Sequence, residues 1–155
     1  MMLSSTATKS ERIMVALEMA LAGTPGLGPR AGTTDMGPRI WRDRYEPVSR
    51  EECPCLRIFP ETEPHDQGPT LPVLDAALLV QMELSISRRP LSTLADPIRG
   101  EVHRRVMADR TLGGLAYDIH SMGAGWDGES GEIGVVRLRY IVKFRTARGD
   151  LTQDI

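Results

Sequence analysis

At 155 residues the chain is long enough to bury a core without disulfides or metal staples. Its formal net charge of −2 gives no global electrostatic case for nucleic acid or an anionic membrane, and 5% aromatic content argues against stacking platforms for single strands. The cations are seventeen Arg against two Lys, Lys9 and Lys143, with no Asn anywhere, a balance that GC-rich coding produces and that also suits planar ion pairs at interfaces.

Residues 1–7 read as a flexible tail whose polar start is not a signal peptide. Thr8 and Glu11 have capping-box spacing, and Ile13, Leu17, Ala20 and Leu21 then share a helical stripe that Gly23 and Pro25 end. Residues 23–38, rich in Gly, Pro and Thr without a period, read as a long surface loop. A first strand is expected over residues 40–46, and a second over 56–59 after Cys53-Pro54-Cys55. Residues 60–72 form a polar loop carrying Glu61, Glu63, His65 and Asp66. Residues 74–87 alternate as a long strand, with Leu78, Val80, Met82, Leu84 and Ile86 on one side. Asp96-Pro97 reads as a helix start, followed by Ile98, Val102 and Val106 at four-residue spacing. Gly113-Gly114 closes that segment, and a fourth strand over about 115–122 leads into a Gly-rich acidic loop.

The last strand has the clearest pattern. Val136, Leu138, Tyr140, Val142 and Phe144 fall on one face; Arg137, Arg139, Lys143 and Arg145 fall on the other, interrupted by Ile141. One face packs a core, while the other is either solvated or meets a partner. Cations lined up on a strand call for acidic counterparts, either Glu83 on a neighbouring strand or another subunit. Residues 147–155 read as a second flexible tail. The order α-β-β-β-α-β-β predicts one α+β domain: a largely antiparallel or mixed sheet of about five strands, with two helices on one face.

Motifs that would carry chemistry fail on context. Gly123-Ala124-Gly125-Trp126-Asp127-Gly128 fits G-x-G-x-x-G, but a strand rather than a helix follows, and Asp127, Glu129 and Glu132 would repel phosphate. Residues 128–132 lack the closing Gly of a nucleophile elbow. Cys53, Cys55 and His65 lack zinc-ligand spacing, and the two cysteines are expected as small, partly buried side chains kept reduced in the cytoplasm. The longest apolar run, residues 76–80, is too short to span a bilayer. No catalytic residue, cofactor or metal is expected, nor a specific nucleic-acid site.

The helix beginning at Ala95-Asp96-Pro97-Ile98 leads to the run Asp109-Arg110-Thr111-Leu112-Gly113-Gly114-Leu115. After it come the loop of residues 127–134, the strand ending Tyr140-Ile141-Val142-Lys143-Phe144-Arg145-Thr146, and Gly149-Asp150. These residues, with the buried strand of 72–87 ahead of them, resemble the tail terminator (tail-completion) proteins of long-tailed bacteriophages, whose members often carry a D-x-T-L-G-G-L-like stretch. Residues 23–70 depart from the family in detail. The resemblance implies a subunit that closes into a ring, commonly a homohexamer, on the head-proximal end of the tail tube. There it halts tube polymerisation and presents a surface to the head-side connector. The implied partners are the chain itself, the tail tube protein and the connector, and the implied location is the virion after synthesis in the host cytoplasm. A ring needs two different patches that meet. The candidates are Arg137, Arg139, Lys143 and Arg145 against an acidic loop, either Asp127, Glu129 and Glu132 beside Trp126 or Glu61, Glu63 and Asp66; intact assembly after charge reversal at Arg137 and Arg139 would exclude that pairing. The alternatives are a neighbouring tail-tube or head-closure protein and, in a different class, a small nucleic-acid-binding domain using the Arg-rich strand.

Overall fold

Thr8 starts the first helix: its hydroxyl accepts a hydrogen bond from the Glu11 amide at 3.3 Å, which satisfies one of the open N–H groups of the first turn. A computed structural model describes residues 6–28, 39–128 and 132–155. Helix α1 spans Lys9–Leu21, and its stripe of Ile13, Leu17 and Leu21 is fully buried. Strand β1 (Ile40–Arg42) and a single 3₁₀ turn (Arg50–Glu52) follow. Next come β2 (Cys55–Thr62), β3 (His65–Gln67), β4 (Val73–Ile86) and helix α2 (Leu91–Met107). The chain ends with β5 (Asp118–Asp127), β6 (Gly134–Ala147) and β7 (Asp150–Asp154).

The strands form one mixed sheet in the order β1-β2-β4-β6-β5, with β3 pairing β4 and β7 pairing β6. Among the described residues only β1 runs parallel to its neighbour. Strands β4 and β6 pair along their full lengths, from Val73 opposite Ala147 to Ile86 opposite Gly134. In-register alternation puts Leu78, Val80, Met82 and Leu84 on the same face as Val136, Leu138, Tyr140 and Val142. That face joins one buried cluster with α1, Val102 and Val106 of α2, and Phe144. Each fully buried aliphatic side chain there contributes roughly 1.5–3 kcal/mol. The α+β class and the two helices on one face are as expected from the sequence.

Several boundaries differ. Helix α2 starts at Leu91, so Pro97 lies inside it rather than at its first position. Leu91 packs against the core, Ala95 is fully buried, and the Leu94 amide bonds the Pro90 carbonyl, so tertiary contact extends the helix ahead of a residue that cannot donate. Residues 60–72 are not all loop: β2 continues to Thr62, and β3 adds to the edge of β4. Strand β1 is shorter than expected, three residues. The Gly-rich stretch through Asp127 is part of β5 rather than of a loop, and residues 129–131 of the expected acidic loop lie outside the described residues. The C-terminal residues also depart from a free tail. Strand β7 pairs with β6, and Arg12 donates to the Thr152 carbonyl at 2.7 Å and to Asp154 at 2.9 Å. Of the expected long loop of 23–38, residues 29–38 lie outside the described residues.

Candidate functional site

The helix-free face of the sheet carries the cation row. Arg137, Arg139, Ile141, Lys143 and Arg145 stand across from Glu83, Gln81, Leu79, Ala77 and Asp75 of β4 in register. Most of the row is neutralised within the subunit. Glu83 is the hub: it accepts from Arg57 of β2 at 2.7 Å, from Gln81 at 2.9 Å and from Arg137 at 3.4 Å. Arg137 also lies 3.7 Å from Asp127. Arg145 donates to Asp75 at 2.7 Å, and its guanidinium lies over the Tyr117 ring; the carboxylate raises the Arg145 pKa further. Arg139 is held loosely, at 3.4 Å from both Glu61 and Gln81, and is half exposed. Lys143 makes no ion pair among the described residues.

Of the two counterparts expected for the cations, Glu83 is therefore in place, and Glu61 and Asp75 join it. Leu79 and Ile141, both half-buried, put an apolar pair in the middle of this face. The remaining sequence-predicted residues scatter. Trp126 pairs with Val136 in register, which places it on the helix side, where Arg99 of α2 lies 5.0 Å from its ring centroid. Glu132 pairs with Arg50 at 3.2 Å, and Glu129 lies outside the described residues. Of that loop, Asp127 joins the cation row at Arg137, while Trp126 and Glu132 lie apart from it.

The Asp109 run is built for local structure. One oxygen of the Asp109 carboxylate accepts from the Thr111 amide at 3.0 Å and its hydroxyl at 2.8 Å; the other accepts from the Gly113 amide at 2.8 Å. These bonds hold the carboxyl below the usual aspartate range. Leu112, Gly113 and Gly114 all adopt positive φ, 48°, 69° and 94°, a path for which glycine is suited and which Leu112 tolerates while burying its side chain. The motif is a turn that returns the chain from α2 to β5.

Cys53 and Cys55 are thiols rather than disulfide partners, and both are fully buried. A hydrogen bond with Cys53, followed by burial, pushes the Cys55 thiol pKa up. A cavity of about 560 Å³ lies beside Cys53, between Arg39, Arg50, Arg88 and the start of α2 at Leu94 and Ile98. Among the described residues no group of three or more His, Cys, Asp or Glu could hold a metal ion, and no helix is long and apolar enough to cross a membrane.

Two features escaped the sequence reading. His103 of α2 shares a 2.9 Å hydrogen bond with the buried Tyr140 hydroxyl, which only the packing of α2 on β6 reveals. Strand β5 is, with β1, an end of the sheet path among the described residues; its glycines were the available signal, since they strip side chains from an otherwise alternating strand.

A chain of a virion particle has a similar fold. It comes from the virion of a native gene transfer agent (GTA) particle and matches with a TM-score of 0.52 at 9% identity. The match covers 89% of this chain and 92% of that one. No protein-family model and no curated protein matches the chain.

Proposed function

We propose that this chain is a structural protein of a phage-type particle, and specifically a tail terminator: a ring-forming subunit that caps the head-proximal end of the tail tube and offers a surface to the connector. The observation that carries the reading is the fold shared with a virion chain over nearly the full length of both. The Asp109-to-Leu115 resemblance, drawn from sequence alone, points to the same kind of particle, and the turn that Asp109 organises gives that run a structural rather than catalytic purpose. A sheet with one face under two helices and the other bearing ion pairs around an apolar pair suits a subunit that packs against its own copies.

The ring contact is expected to use the charges that the subunit does not neutralise itself. Lys143 and Arg139 fit that role better than Arg137 and Arg145, which are held by Asp127, Glu83 and Asp75. Native mass measurement and negative-stain imaging, with and without tail tube protein, test the reading. A single closed ring that stops tube growth supports it. Long tubes made by this chain alone would favour a tube protein, and a persistent monomer that leaves tube growth unchanged would sink it. Strong salt-dependent binding to DNA would instead favour the nucleic-acid reading.

A further inference from the structure

The edge of strand β5 carries an inference that goes beyond the ring and does not depend on it. From Gly123 to Asp127 the strand has β6 on one side and no strand on the other among the described residues. Among the described residues the outward backbone groups of Ala124, Gly125 and Trp126 meet no strand, while the Gly123 amide donates to the Ser121 hydroxyl at 3.3 Å. Proteins ordinarily blunt such an edge with charge, proline or a covering loop. Here a bulge between Ser121 and Gly123 interrupts the register, but beyond it the strand runs regularly to Asp127.

Clefts flank this same stretch on both faces of the sheet. On the helix side a cleft of about 300 Å³ lies between α2 and β5, floored by Leu138, Tyr140 and Ala124 and rimmed by Asp96, Arg99 and His103. Trp126, 49% exposed, stands on the same face with Arg99 over it. On the opposite face a second cleft of about 270 Å³ is lined by Gly123, Gly125, Met122, Arg137 and Arg139. Both exist because Gly123 and Gly125 place no side chain over the arginines, and Gly100 of α2 places none over the helix-side cleft.

A strand laid beside β5 would project successive side chains to alternate faces. Residues opposite Gly123 and Gly125 would meet Arg139 and Arg137; residues opposite Ala124 and Trp126 would enter the cleft beside α2. The charge on the first face selects acids and the floor of the second selects apolar groups. We propose that the edge of β5 over residues 123–126 binds an extended partner segment in which acidic and apolar residues alternate, added to the sheet as a further strand with its apolar side chains in the cleft against α2. The main chain supplies the pairing and the two clefts read the side chains, as in other strand-addition complexes.

Fluorescence anisotropy with a labelled synthetic peptide of alternating Glu and Leu tests this. A Lys-for-Glu peptide and a copy with alternate backbone amides N-methylated serve as controls. Two substitutions suit the test because an added Cβ at either glycine meets no atom: Gly125→Glu, which sets an acid beside Arg137, and Gly100→Trp, which fills the helix-side cleft. Expected are saturable binding of the Glu/Leu peptide, slowed amide exchange within 124–126, and affinity lowered about tenfold or more by either substitution and by N-methylation. Equal binding of the Lys peptide or of the N-methylated copy would overturn the proposal, as would binding that ignores Gly100→Trp. So would self-association through β5 without peptide binding, which would assign the edge to a second copy. A closed ring formed by a protein that binds no peptide would defeat this inference and leave the ring reading standing.

Discussion

Arg57 and Glu83 face each other across β2 and β4 at 2.7 Å, with side chains only 13% and 14% exposed, while Arg137 reaches the same carboxylate from β6 at 3.4 Å and is 38% exposed. Glu83 thus ties three adjacent strands together on the face that carries no helix. Distance and burial rank the two contacts. Removing Glu83 leaves the mostly buried Arg57 without its counter-charge, and Glu83→Ala is expected to cost about 2–3 kcal/mol in urea unfolding. Double-mutant cycles should give a coupling of about 1–2 kcal/mol for Arg57 with Glu83, and about 0.5 kcal/mol or less for Arg137 with Glu83. Equal couplings would mean that burial does not set the strength of this network. The ranking also bears on assembly tests: Arg137→Glu sets a like charge beside Glu83, so Lys143→Glu is the cleaner probe of a subunit contact.

Tyr140 predicts an alkaline dependence. Burial pushes its pKa from the ordinary 10.0 up to about 12, with Arg99 pulling slightly the other way. The folded value lies above the unfolded one, so the stability tied to the neutral phenol is fully present below about pH 10 and is lost as the pH rises toward 12. In Tyr140→Phe that loss is absent. The stability difference between the two proteins should therefore shift in favour of the variant by about 2 kcal/mol between about pH 8 and about pH 11.5. A constant difference would show that the hydroxyl is hydrated in the folded protein.

Glu52 predicts the acid side. Hydrogen bonding from Arg44, helped by the Ser49 amide, lowers its pKa from 4.5 to about 2. This contribution is present above about pH 4.5 and is lost as the pH falls toward 2, worth about 1–2 kcal/mol after allowing for screening at a side chain 31% exposed. Glu52 anchors the segment that covers the buried Cys53 and Cys55, so the first consequence is local. Labelling by a dipyridyl disulfide, which reacts in acid, should be slow at neutral pH and accelerate as the pH drops below 4.5. Glu52→Gln should label quickly at neutral pH, with little further change on acidification. Thiols of the parent protein that react freely at pH 7 would contradict the buried placement.

The alternation of β6 from Val136 to Phe144 was legible because a period of two over a long strand has few other readings. The partner of that alternation on β4, and Glu83 among its members, followed from the same rule. What escaped was set by long-range packing. Leu91 and Ala95 belong to α2 because the core receives them, although Pro97 marks a plausible local start. Trp126 adjoins Asp127, yet strand geometry sends the two to opposite faces, so adjacency in sequence does not put them on one surface. Hydrophilic composition likewise made residues 147–155 read as a tail, because no local pattern reveals that Arg12, far away in α1, holds them.

That C-terminal attachment gives the last prediction. Lys9, only 3% exposed, donates to the Arg145 carbonyl at 2.9 Å and lies 3.6 Å from Asp154, which Arg12 also contacts. Burial lowers the Lys9 pKa and Asp154 opposes that shift, so Asp154 is what makes a charged amine tolerable beneath β7. Asp154→Ala should cost about 1–2 kcal/mol near neutral pH. The cost should shrink as the pH rises toward the lysine range, because the neutral amine no longer needs the carboxylate. Amide exchange should quicken across 150–154 while β4 and the central part of β6 stay protected. Uniform quickening over the whole sheet would mean instead that β7 unfolds only with the core, and that the contact of Arg12 with Thr152 and Asp154 is part of the global structure rather than a separable clasp.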